Sequence, residues 1–260
     1  MLALAMRAAS GNSFAAFLAL EVRRALRNRR YVIFTIAFPV ILYVLYTAVI
    51  PASGDGTIRG VAWNLFFLVS MATYGAIGAS MSQATPIAVE RVGGWITQLR
   101  TTPLASSAYV LAKLVSAVLL TIPALVLVAL AGIAVNHVAL PPARLLELVL
   151  TLAIGALPFA ALGIVIGYTL DADSAQGGMV LTFFGMAILG GLFAPVDAFP
   201  EPLATIATVL PSYHLAAVGR SVVAGALPAV GDALVLAAWT VGGGVVAAWR
   251  FAVAGARARG

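Results

Sequence analysis

Glu90, Arg91, Gln98 and Arg100 stand in a polar run, residues 90–104, reading ERVGGWITQLRTTPL, within a chain that is 62% hydrophobic and only 9% charged. A carboxylate, two guanidinium groups and an amide so placed can make charge-assisted hydrogen bonds, and between two apolar stretches they must meet water or a partner. Val92, Trp95, Ile96 and Leu99 recur at i, i+3, i+4 and i+7. The spacing predicts a short amphipathic helix with Glu90 at its start, where the helix dipole favours an acid, and Pro103 as its stop. Such a helix suits the docking of another protein; the pattern equally fits an ordinary interfacial loop helix.

Other chemistry is missing. The chain has no cysteine, which excludes disulfides, thiol catalysis and cysteine-ligated metal. His137 and His214, far apart in the chain, do not suggest a metal centre. There is no GxxxxGK[ST] phosphate loop, and the single lysine, Lys113, follows no glycine-rich turn. The chain is therefore not expected to bind and split ATP in the P-loop manner. The apolar spans lack Asp, Glu, Lys, Arg and His at depth, groups that ion carriers and intramembrane hydrolases use. A nucleophile and base for an enzyme site have no candidates.

Two ordered sets of residues resemble a known family. Glu90-Arg91, Gly93-Gly94, Gln98-Leu99, Thr102-Pro103-Leu104 and the run 109–114 (YVLAKL) resemble the cytoplasmic loop of ABC-2 permeases, the membrane subunits of type 2 ABC exporters. Gly190-Gly191, Phe193, Pro195, Phe199-Pro200, Pro202-Leu203, the run 210–214 (LPSYH) and Arg220 resemble the segment between that family's fifth and sixth spans. This chain departs from the family at Val92 and Gly94-Trp95, where members often carry a second acid and a Gly-Thr pair.

The resemblance implies ATPase coupling through Glu90, Arg91, Trp95, Leu99 and Pro103, with Arg23 and Arg27 of an N-terminal elbow helix also within reach of the ATPase. It implies a re-entrant segment carrying Gly191, Pro200, Pro211, Tyr213 and Arg220. No cofactor would be bound by this chain; ATP and Mg would sit on a partner.

These residues need elements to hold them. A mean hydropathy of +1.06 excludes a soluble globular domain. The expected fold is all-α and membrane-embedded, one ABC-2 type domain over residues 1–260, with six spans at 31–50, 63–82, 109–135, 145–170, 178–193 and 233–249. About 20 residues at 1.5 Å each cover the roughly 30 Å of hydrocarbon. Around the spans lie an elbow helix at 13–30, a cytoplasmic coupling loop at 85–107 and an extracytoplasmic segment at 195–229. In the elbow, Phe14, Phe17, Leu18, Val22 and Ala25 face away from Arg23, Arg27 and Arg30; Glu21, near the apolar side, weakens the pattern.

Pro39, Pro123 and Pro158 mark bends, and Lys113 is expected to snorkel to the inner surface. Gly163 and Gly167 form a GxxxG packing step. Asp171, Asp173 and Ser174 suit capping of the fifth span. In 195–229 the apolar runs 203–210 and 215–223 are each too short to cross, and Pro211 separates them. They fit a re-entrant helical pair, or a surface loop with two interfacial helices.

Of the fifteen basic residues, twelve fall in the segments assigned inside and only Arg59, Arg144 and Arg220 outside, which puts both termini in the cytoplasm. The same asymmetry explains the net charge of +6 without nucleic acid. The expected function is a permease subunit of an ATP-driven exporter in the bacterial cytoplasmic membrane. It would pair with a second permease subunit, identical or related, and two ATPase subunits, and move an amphipathic drug, antibiotic or lipid-like substrate by alternating access. The alternatives are an ion-coupled secondary carrier and a non-transporting membrane scaffold or sensor.

Overall fold

The structure, a computed structural model, describes residues 15, 18–25, 27–28, 32–49, 56–93 and 106–257. Almost all of it is helical. Residues 18–25 form α1. A six-residue π-helix, Val32–Ala37, runs into α2, Phe38–Val49. The change of register falls at Pro39, which has no N–H to return to the preceding turn. A two-stranded antiparallel hairpin, β1 (Thr57–Ile58) and β2 (Val61–Ala62), follows, with Thr57 opposite Ala62. Arg59 and Gly60 form its turn, both at positive φ.

Then come α3 (Trp63–Met81), α4 (Ala84–Val92), α5 (Ser106–Asn136), α6 (Pro142–Gly155), α7 (Leu157–Thr169) and α8 (Ala172–Leu189). A 3-10 turn, Val196–Ala198, leads to α9 (Glu201–Ala207), α10 (Pro211–Val223) and α11 (Val230–Arg257).

Four units among the described residues are long and apolar enough to cross a membrane: Trp63–Val92, Leu111–Asn136, Pro142–Thr169 and Val230–Arg250. Thr35–Val49 is a shorter apolar helix, and the 18 residues of α8 open on Asp173, Ser174 and Gln176. The first unit extends ten residues past the predicted end at 82, because Ser82 and Gln83 only turn the chain before α4 resumes. Pro158 does mark a break, in the first turn of α7 after Ala156, whereas α5 runs through Pro123 unbroken.

Helix α3 is the axis of the bundle. Every residue from Phe66 to Met81 is buried, as expected for a helix apolar all round. It packs against α2, α5, α7 and α10, and α11 packs on α7. Small residues set the closeness: a Cβ on Gly132 would come within 2.3 Å of Leu68, and one on Gly75 within 3.1 Å of Ala124. Tyr74 holds an aromatic cluster together, with ring centroids 4.6 Å from Phe183, 5.6 Å from Phe193 and 5.9 Å from Phe38. As predicted, Asp171 caps α8, accepting a hydrogen bond from the Ser174 amide at 2.8 Å. That bond holds the carboxyl below its usual range.

Candidate coupling site

The helix entering the polar run is α4, and beyond Gly93 the predicted docking helix lies outside the described residues. Gly93 closes α4, its amide bonding Val89 O at 2.9 Å, so Glu90 stands in the last turn and not at a helix start. The dipole argument for an acid there is overturned: beside a helix C-terminus the dipole opposes a carboxylate, and cations must compensate.

They do. Glu90 is only 5% exposed, and its Oε1 accepts hydrogen bonds from Arg24 Nη1 at 2.9 Å and Lys113 Nζ at 3.1 Å. Lys113 is 0% exposed and also donates to Glu21 Oε2 at 2.6 Å. The snorkelling expected of Lys113 is thereby corrected: two inward carboxylates give the ammonium better partners than surface water, so the side chain turns into the protein. Four ionic side chains thus join α1, α4 and α5. Taking so many charges from water costs several kcal/mol per ion, and only mutual pairing of this geometry offsets it.

Glu21, which disturbed the amphipathic pattern of α1, is explained by this cluster. Its apolar neighbours Val22 and Ala25 pack against Ile36, Ala79, Leu120 and Ala124. Arg23 and Arg27 are exposed and line, with Leu18, Val22 and Leu119, an open groove of about 560 Å³ between α1 and α5. Arg91 turns away from the loop and donates to the carbonyls of Tyr168 and, at 2.7 Å, Leu170 at the end of α7. Trp95, Leu99 and Pro103 lie outside the described residues.

Gly163 and Gly167 bring α7 against the α3–α4 junction. An added Cβ would sit 3.0 Å from Met81 O at the first and 2.6 Å from Ala84 O at the second.

The second motif also has a definite geometry. Gly191 has φ +75° and no room for a Cβ against Val196; Pro200 and Pro211 precede or open α9 and α10. The break between these helices is closed by protein groups. Trp239 donates to Val209 O at 2.9 Å, His214 Nε2 to Thr208 O at 2.8 Å, and Ser212 to Met186 O at 2.7 Å. The other ring nitrogen of His214 lies 2.6 Å from Asp232. Tyr213 Oη accepts from Arg59 at 3.0 Å, while Arg59 grips Asp197 through two bonds of 2.6 Å. Arg220 is buried over the Phe66 ring.

Sequence reasoning singled out neither Arg24 nor the pairs Arg59–Asp197 and His214–Asp232. A signal existed for the first cluster alone: an acid on the apolar side of α1, and the one lysine of the chain at the mouth of a span.

Residues 12–223 match the sequence profile described as ABC-2 type transporter. The chain belongs to that family. The permease is also 29% identical over 220 residues to the Bacillus subtilis (strain 168) protein called "Putative transport permease YvfS", across 84% of this chain and 89% of that one. As an ABC-2 member it is a multi-pass membrane permease subunit of an ABC transporter, a class that works with an ATPase subunit.

Proposed function

We propose that this permease is half of the membrane core of an exporter, paired with a second permease subunit and driven by two ATPase subunits that hold ATP and Mg. It resides in the bacterial cytoplasmic membrane with both termini inside, and its six spans include α2 and α8 as the first and fifth. The observation that carries the reading is the ionic cluster of Glu21, Arg24, Glu90 and Lys113, which ties α1 to the helices entering and leaving the loop at 94–105. A push on that loop reaches both helices and the elbow together. The ATPases close on binding ATP, Trp95 and Leu99 seat in their groove, Pro103 ends the docking helix, and Arg23 and Arg27 make a second contact. Alternating access follows as a rigid-body change between two packings. Arg91 steadies the same lever by holding the end of α7.

Residues 195–229 are read as a re-entrant pair. Leu215 lies against Gly155, Gly219 against Leu152 and Leu148, and Gly225 beside Arg144, so α10 climbs antiparallel along α6 towards its outer end. The bonds to the carbonyls of Thr208 and Val209 supply what a helix break inside a bilayer requires. An amphipathic drug, antibiotic or lipid-like substrate would bind between the two permease subunits, against the aromatic cluster that Phe38, Tyr74 and Phe183 build from the first, second and fifth spans.

The test is reconstitution in liposomes of the permease alone, with its ATPase, and with ATPase plus the Trp95→Asp, Leu99→Asp double variant. Transport is expected only with ATPase and is expected to collapse in the double variant, since a charge buried unpaired at a docking surface is costly. Uptake by the permease alone under a proton or sodium gradient would replace this reading with a secondary carrier.

A further inference from the structure

Arg220, in the last turn of α10, is the one buried arginine among the described residues, at 7% exposure. The other buried ionisable groups there have partners: Lys113 lies against Glu21 and Glu90, and His214 against Asp232. The Arg220 guanidinium instead makes no hydrogen bond or ion pair with any described residue; it lies 5.3 Å over the Phe66 ring. The two acids that act on it at longer range, Asp197 and Asp232, are already engaged by Arg59 and His214, and Arg59 opposes its charge.

A ring face offsets only part of the cost of burying a cation that has no other partner. The five N–H donors of the fork therefore call for an acceptor. None of the three nitrogens is completely sealed from the surface. A planar fork with one face on an aromatic ring and its donors unspent matches a phosphate or carboxylate group, which it can bind through two parallel bonds.

We propose that Arg220 is the receptor for an oxyanion group, supplied by an anionic lipid headgroup or by a soluble anion, at the end of the bundle where α3 and α6 begin. Its assignment to the outer side rests on the topology proposed above; the binding does not. The full-length permease, purified in neutral detergent, is titrated with phosphatidylglycerol, with net-neutral phosphatidylcholine, and with inorganic phosphate. Lipids are followed by native mass spectrometry and phosphate by calorimetry.

Saturable binding of one anionic probe is expected, weakened about tenfold or more in Arg220→Gln, partly restored in Arg220→Lys, which keeps the charge without the fork, and unchanged in Asp173→Asn at the start of α8. A preference for phosphatidylglycerol assigns the headgroup, and a preference for phosphate the soluble anion. The proposal is overturned if the wild type binds neither anionic probe, or if Arg220→Gln binds within twofold of wild type. Should Arg220→Gln fail to fold, Arg220→Lys decides, since an affinity within twofold of wild type would exclude the fork. No ATPase or transport enters the test, so it stands or fails apart from the exporter reading.

Discussion

The Lys113 ammonium lies 2.6 Å from the Glu21 carboxylate, with the lysine side chain 0% and the glutamate side chain 5% exposed. Ninety-two positions separate them in sequence, yet this contact fixes α1 to α5, the helix that follows residues 94–105. Glu90 shares the same ammonium from α4 at 3.1 Å.

Removing the shared cation should be the most damaging single change in the cluster. Lys113→Met leaves the buried carboxylates of Glu21 and Glu90 without the cation they share, a loss of about 3–5 kcal/mol by analogy with other broken buried pairs. Thermal unfolding of the detergent-purified variant should show a large fall in midpoint; a fall no larger than that of Arg144→Gln on the surface would show that the cluster adds nothing.

Glu90→Gln keeps shape and one acceptor while taking away the charge. Membrane insertion and ATPase binding should persist, and ATP-driven transport should fall roughly 5- to 150-fold, the range of ordinary coupling free energies. Transport at the wild-type rate would reduce Glu90 to a structural residue.

Close approach of α7 to α4 depends on Gly167, where even a Cβ meets Ala84 O at 2.6 Å and Ile87 Cβ at 2.8 Å. Gly167→Val should destabilise by about 1–3 kcal/mol through overpacking. Gly177→Ala, which meets nothing within 4 Å inside α8, is the control and should hold or slightly raise the midpoint.

Arg59 holds the Asp197 carboxyl below its usual range through direct hydrogen bonds. A depressed carboxylate contributes stability that is full above the unfolded value, about pH 3.9, and is lost as pH falls through the lower folded value. Because the Asp197 side chain is 63% exposed, the contribution should be no more than about 1 kcal/mol. Midpoints of wild type and Asp197→Asn should differ at pH 6 and converge towards pH 3; curves that stay parallel would remove the pair from the stability of the fold.

Topology is open to thiol labelling, because the chain has no cysteine of its own. Cysteines at Ser53 and at Leu227, the latter 93% exposed, should react with an impermeant reagent in intact cells, and those at Ser10 and Ser106 only after lysis. Labelling of Ser10 or Ser106 before lysis would invert the orientation.

Much of the architecture could be read from local pattern, since the membrane imposes its length and polarity on each segment separately. The apolar runs, the cap at Asp171, the break at Pro211 and the family motifs are properties of short stretches, legible from residue type and order. Partnerships are not local. Whether Glu21 was a flaw in an amphipathic helix or half of an ion pair depended on Lys113, and the direction of Lys113 depended on two acids brought in by other helices. Glu90 shows the same limit within a single turn: Gly93 ends its helix, and the tertiary neighbours decided that its charge is compensated by Arg24 and Lys113 rather than by a dipole. Arg59 with Asp197, and His214 with Asp232, met only when the β1–β2 hairpin, the 3-10 turn, α10 and α11 packed together. Burial without a partner is a property of the assembled bundle alone, which is why Arg220, one more basic residue in the sequence, became a site only in three dimensions.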